Sequence, residues 1–252
     1  MFALVGGSTV VGLVVGRSLR RHSESLREPF GVLQAALLGV VGLILAFGLT
    51  LAVGRYEARR SAVVDEANAI GTTYLRAETL DEPVRGSSLA LLRRYTDTSI
   101  RLSHTVPNSR AARETVATGG RLQRRLWTLA GRALDGAPTA SAPRLYVESL
   151  NEMIDMQTVR VSALNNRVSA AVLDLEVIGA CIALGLLGLY LAILTRGVVT
   201  VLLAAALVTM LLLVTFDLDR PTRGLIRIPT APLTALRASM ALPPAAKALR
   251  AP

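Results

Sequence analysis

The sequence predicts an all-α integral membrane protein with four transmembrane helices and a helical polar bundle between spans two and three. Three observations predict it. Residues 32–53 run for 22 positions without a charge, where a hydrocarbon core of roughly 30 Å needs about 20 residues of helix. Residues 177–194 and 197–216 add 18 and 20 apolar positions with only Thr195 and Arg196 between them, the pattern of a helical hairpin across a bilayer. Between Arg55 and Ala170 the apolar periodicity becomes amphipathic, and no alternating strand pattern appears.

Composition supports the class. The 252 residues are 52% hydrophobic but only 4% aromatic, with a mean hydropathy of +0.47, too apolar for an ordinary soluble domain. The net charge is +10, and Lys247 is the only lysine, so the positive charge is arginine and permanent at physiological pH. In a membrane protein such charge serves topology, anionic headgroups and internal ion pairs, which makes membrane lipid the expected partner. Nucleic acid is not expected, because stacking aromatics are scarce and no basic run is interleaved with Phe or Tyr. Cys181 is alone, in an apolar run, which excludes an intramolecular disulfide. His22 and His104 lie far apart and form no Cys/His metal cluster. No P-loop, dinucleotide-binding glycine pattern, nucleophile elbow or metalloprotease helix occurs, so neither an enzyme nor a cofactor is expected.

The elements follow in chain order. Residues 1–16 form the first transmembrane segment: apolar and glycine-bearing, without the basic start and cleavage site of a secretory signal. At 16 residues the segment is slightly short, and Arg17 must snorkel. Residues 17–30 are a polar connection in which Pro29 signals a helix start. Residues 31–54 are the second span. Gly31, Ala35, Gly39, Gly42, Ala46 and Thr50 give it a face of small side chains that invites a close neighbour. Ile44, Phe47 and Leu51 form a bulkier stripe on another side, which faces lipid or a helix in the ordinary case and a narrow pore in the special one. No Gly-Pro break follows, so the same helix continues into the bundle of residues 55–170.

There Val63, Ala67, Ile70 and Tyr74 line the first polar helix, which stops before Pro83. Leu89, Leu92 and Tyr95 mark a second, and Leu122, Leu126 and Leu129 a third. The fourth carries Leu150, Met153, Ile154, Gln157, Val161, Leu164 and Val168. The hairpin of spans three and four occupies residues 171–216, with Asp174 and Glu176 one turn before the third span, where charges still reach water. Residues 217–240 are an ordered C-terminal segment and 241–252 a disordered Ala/Pro-rich tail.

Four spans put both termini and the bundle on one side of the membrane. That side has Arg55, Arg59, Arg60, Arg160, Arg167, Arg220, Arg223 and Arg227 near the bilayer; the other has Arg17, Arg20, Arg21, Arg27 and Arg196. The excess predicts a multi-pass protein of the inner (plasma) membrane with cytoplasmic bundle and termini.

Residues 45–76, LAFGLTLAVGRYEARRSAVVDEANAIGTTYLR, with LNEMID at 150–155 and DLDRPTRGLIRI at 217–228, resemble the bacterial bestrophin-like domain family. Three motifs in the right order carry the resemblance, which covers the chain from about Val32 to Met240. Its motif residues here are Tyr56, Glu57, Glu66, Asn68, Asn151, Glu152, Asp155, Asp217, Asp219, Arg220, Pro221 and Gly224. That family is distantly similar to bestrophins, pentameric anion-conducting channels with four spans and a cytosolic helical domain between spans two and three. The resemblance implies a homo-oligomer and chloride or another small anion as the conducted species. Arg55-Tyr56-Glu57-Ala58-Arg59 resembles the arginine-rich, aromatic run with which the bestrophin second span enters the cytosol, and Asp219 to Gly224 more loosely resembles the acidic turn after the last span. The acidic run of the bestrophin calcium clasp has no match, so calcium gating is not implied.

Each candidate site has a plainer competitor. Arg55, Arg59 and Arg60 are candidates to attract anions at the membrane exit, with Ile44, Phe47 and Leu51 as the neck. The plainer reading, placed first, pairs those arginines with Glu57, Asp65, Glu66 and lipid phosphates. Glu66 with Asn68, and Glu152 with Asp155, could hold a cation or do acid-base work; carboxylates in a bundle more often satisfy arginines. Asp217 and Asp219 could bind a divalent cation, but a helix end tied to Arg220 and Arg223 and stopped by Pro221 is preferred.

Overall fold

A computed structural model of the chain describes residues 2–19, 27–194, 198–220, 222 and 224–244. Pro221, Arg223, Thr195, Arg196 and the end of the tail from residue 245 fall outside that set. The described residues are helical without a strand, in the order α1 (Phe2–Leu19), α2 (Arg27–Ala77), α3 (Val84–Ser103), α4 (Arg110–Gly136), α5 (Ser141–Asn165), α6 (Ala170–Ile193), α7 (Val198–Leu218) and α8 (Ala231–Ser239). Three stretches contain helix long and apolar enough to cross a membrane, within Gly31–Ala77, Ser141–Ile193 and Val199–Leu218; Ala3–Leu19 is apolar but shorter.

The chain divides into two compact units, one of residues 1–55 and 167–220, the other of residues 56–166 and 221–252. The unbroken α2 supplies its first half to one and its second half to the other. Its 51 residues correspond to about 77 Å of helix at 1.5 Å per residue. Pro29 lies inside its first turn, where a missing N–H costs nothing.

In the membrane-type unit α1 and α6 approach at van der Waals distance through glycine. A Cβ placed on Gly12 would overlap the carbonyl oxygen of Gly185, and one on Gly16 the carbonyl oxygen of Leu189. On α6 a Cβ at Gly188 would stand 2.8 Å from the Thr9 carbonyl oxygen. Backbone-to-backbone contact of this kind is how helices gain packing energy where lipid removes the hydrophobic drive. Val5, Val41, Leu45, Ala180, Leu184, Val201 and Leu212 fill the core around it.

Helix α2 turns a different face inward from the one its small residues suggest. Val41, Leu45, Gly48 and Ala52 are buried, whereas Ala35, Gly39, Gly42, Ala46 and Thr50 are exposed. Nothing lies within 4 Å of a Cβ at Gly39 or Gly42. Among the described residues Gly31, at the start of that stripe, faces the Tyr190 side chain, and none comes close to Gly39 or Gly42.

The other unit is a helical bundle. Tyr74, Ile70 and Val63 of α2, Leu92 and Tyr95 of α3, Leu126 of α4 and Leu150 and Met153 of α5 form its core. Its turns have local causes. Pro83 precedes α3, and the Ser109 side chain caps α4 by accepting the Ala112 N–H at 3.1 Å. Helix α5 ends at Asn165 rather than continuing to Val168, and Arg59 caps that end, donating to the carbonyls of Ala163 at 3.3 Å and Asn166 at 2.7 Å. Helix α8 docks on this core: Leu233 is fully buried, the Tyr74 hydroxyl donates to the Met240 carbonyl at 3.2 Å, and Arg237 pairs with Asp97 at 2.7 Å.

Candidate functional site

The membrane-type unit and the bundle each hold a group of residues with chemical consequence. In the first, Phe47 is 62% exposed and Leu51 45%, with Ile44 half-buried, so the expected neck residues line the uncovered side of α2. On the packed side the structure departs from expectation. Glu176, expected near water, is fully buried, and neither of its carboxylate oxygens has a hydrogen-bond partner among the described residues. A Cβ on Gly48 would overlap Glu176 Oε1, so glycine is what admits this carboxylate beside α2. An uncompensated ionisable group at such a place is costly. Asp174, one half-turn earlier, is exposed.

Asp219, at the end of α7, is buried and accepts the Val168 N–H at 2.9 Å just before α6 begins. That bond ties two helix ends together; Arg223, one of the two arginines expected to tie this turn, lies outside the described residues. Asp217 is half-buried, Arg220 exposed and Arg55 half-buried; Pro221 and Arg223 lie outside the described residues.

In the bundle, Glu66 of α2 is the centre of a polar network that is closed to solvent. One oxygen receives the Ser99 hydroxyl at 3.0 Å and the Tyr95 hydroxyl at 3.4 Å; the other pairs with Arg160. Glu66 and Arg160 are both fully buried. Arg160 donates further to the Ser99 carbonyl at 3.0 Å and to the Ser103 hydroxyl, and Gln123 donates to Tyr95 at 3.2 Å. Burial first, and the Glu66 charge second, push the Tyr95 pKa upward, so this hydroxyl stays a donor. At Gly119 a Cβ would overlap Gln157 Nε2, so α4 comes close to α5 at a glycine.

This network crosses α2, α3, α4 and α5 and leaves Glu66 no free oxygen for a cation or a proton transfer. It clamps helices. Asn68, Glu152 and Asp155 stand apart from it, exposed, and Asn151 donates only to Asp155 at 3.4 Å. Among the described residues no group of His, Cys, Asp and Glu is arranged to hold a metal ion.

The exit arginines separate as well. Arg59 is buried on the end of α5, as described above. Arg60 pairs with Glu57 at 3.3 Å, with both side chains largely exposed. Tyr56 is half-buried and Gly224 buried. The participation of Arg160, Tyr95, Ser99 and Gln123 went unread in the sequence. Their signal was weak: polar residues at core positions of otherwise apolar stripes, Gln157 among them.

Comparison with known proteins agrees with this architecture. No curated protein matches the chain. Several solved structures do. A bacterial bestrophin homologue from Klebsiella pneumoniae, phased on zinc, is 12% identical with a TM-score of 0.68, covering 94% of both chains. Two point variants of a bacterial bestrophin homologue from the same organism are each 11% identical: one has a TM-score of 0.71, covering 94% of this chain and 96% of that one. The other has a TM-score of 0.67, covering 95% and 96%. At such identity the likeness speaks for the fold alone. The model of the bestrophin-like domain matches residues 2–233, nearly the whole length. The chain belongs to the bestrophin-like domain family.

Proposed function

We propose that this protein is an oligomeric, anion-selective ion channel that crosses the membrane four times, α1 included. The observation that supports it is the bestrophin-like fold, matched over almost the whole chain, around an apolar α2 that is packed on one face and uncovered on the other. In an assembly of copies that open face lines a water-filled axis, with Phe47 and Leu51 at a narrow apolar neck and Ile44 behind them. Arg55, and Arg60 next to Glu57, then provide positive potential at the mouth. No residue is given a catalytic role.

Purified protein in liposomes tests the reading directly. Chloride efflux above empty vesicles is expected, and Phe47→Ala or Leu51→Ala should raise its rate and lower its selectivity, because a wider neck dehydrates the ion less. Sodium flux without chloride flux would keep the channel and overturn its anion selectivity. Absence of flux for both ions would leave a membrane scaffold whose bundle binds a partner.

The same reading puts the bundle and both termini in the cytoplasm of an inner-membrane protein. Topology reporters inserted at Gly136 and fused after Pro252 should then report the same, cytoplasmic side. Opposite sides would remove the even number of spans between them.

A further inference from the structure

We propose that the groove between α3 and α4 binds a phosphorylated anion bearing more than one negative charge, distinct from the small ion that the channel reading assigns to the membrane axis. The groove has a volume of about 490 Å³ and is lined by Arg94 of α3 and by Arg125 and Arg132 of α4. Two hydroxyl residues, Ser87 and Thr128, complete its polar wall, and Leu91 and Leu129 lie beneath. The spacing explains the convergence. Arg94 follows Ser87, and Arg132 follows Arg125, by seven residues, two helical turns, so each pair stands on one face of its helix.

The charge in the groove is unpaired, whereas four other arginines of the bundle surface have carboxylate partners. On the bundle surface Arg76 pairs with Glu148, Arg85 with Glu82, Arg110 with Glu114 and Arg237 with Asp97. None of the three groove guanidinium groups has a hydrogen-bond or ion-pair partner among the described residues, and no carboxylate lines the groove. An adjoining cavity that shares Arg132 is lined by Asp81 and Glu82, and Glu82 is engaged by Arg85 at 2.9 Å.

Three guanidinium groups brought together without a counter-charge repel one another, and a ligand that neutralises them at once removes that cost. The planar guanidinium fork fits the tetrahedral oxygens of phosphate, two at a time, far better than it fits a spherical halide. An apolar floor screens the ligand from water on one side, which strengthens each contact. Phosphate of this kind has two sources, a soluble polyphosphate or the headgroup of an anionic lipid, and the chemistry of recognition is shared.

The test uses the full-length protein in nanodiscs of uncharged phosphatidylcholine, titrated calorimetrically with pyrophosphate at low salt. Saturable binding is expected. Replacing Arg94, Arg125 and Arg132 together with Gln should raise Kd by about tenfold or more. A matched triple outside the groove, Arg101→Gln, Arg124→Gln and Arg227→Gln, removes the same net charge from exposed positions and should change Kd by less than about threefold. Should the groove triple not fold, Arg125→Gln alone, an exposed substitution, carries the same comparison. A second set of nanodiscs containing phosphatidylglycerol separates the sources. A wild-type Kd raised by that lipid, with the groove triple indifferent to it, assigns the groove to a headgroup; an unchanged Kd assigns it to a soluble ligand. No binding by the wild type, or equal loss in both triples, overturns the site.

Discussion

At the scale of single residues, the molecule concentrates its risk in two buried carboxylates that are treated in opposite ways. Glu66 is compensated by Arg160, Ser99 and Tyr95. Removing one partner of a buried pair leaves the other charge uncompensated, so Arg160→Met should destabilise the bundle by about 3–5 kcal/mol. Adding Glu66→Gln to that variant should recover much of the loss, because the remaining groups are neutral; chemical unfolding of the purified protein measures both. A double variant as unstable as the single one would show that the network contributes more than charge compensation. Glu176 is the contrary case, with both oxygens unpartnered among the described residues. Glu176→Gln keeps the volume and removes the ionisable group, so thermal stability should hold or rise. Gly48→Ala drives a methyl into the same carboxyl group and should lower stability by about 1–3 kcal/mol. Sequence alone offers Glu66 as a partner of nearby arginines or, with Asn68, as a cation or acid-base site, and the first reading asks for an arginine. It does not show which, because Arg160 stands 94 positions away and no local period encodes that pairing.

At the scale of elements, legibility depended on whether a signal was local. An uncharged run flowing into RYEARRSAVV without a breaker announces α2 and its continuation, and the structure has one helix from Arg27 to Ala77. Which face of it packs was not legible, for a physical reason: both faces of the membrane half are apolar, and lipid is as apolar as any neighbour helix. Small residues at Gly39, Gly42 and Ala46 pointed one way, and the buried Val41, Leu45, Gly48 and Ala52 lie on another. The close approach instead joins α1 to α6, and the four-residue spacing of Gly12 and Gly16 was its available signal. Gly12→Leu should therefore separate α1 from α6 and lower the unfolding midpoint strongly. Gly7→Leu, on the same helix with nothing within 4 Å, should leave the midpoint near the wild-type value. Equal midpoints for the two variants would contradict the glycine contact.

At the scale of the whole molecule, the uncovered side of α2 is what a channel reading must account for. Gly42 is exposed there, together with Val40, Leu43, Phe47 and Leu51. Exposure to lipid alone asks nothing of the side chain's size, since a leucine is as soluble in hydrocarbon as a glycine is tolerable. Exposure to a second copy of the chain asks a great deal, because small residues then set how near the backbones come. The two situations respond differently to one substitution. Gly42→Leu meets no atom of its own chain within 4 Å, so the isolated subunit should unfold at the same temperature as the wild type. If copies meet across α2, the added side chain holds them apart. The assembly surviving in mild detergent, read as mass by native mass spectrometry or by light scattering, should fall toward the single chain. The conservative Leu43→Ile, one position round the helix, should leave that mass unchanged, because volume and polarity are kept. An assembly indifferent to Gly42→Leu would hand the stripe to lipid and move the subunit contacts, and with them the axis of any pore, to another helix.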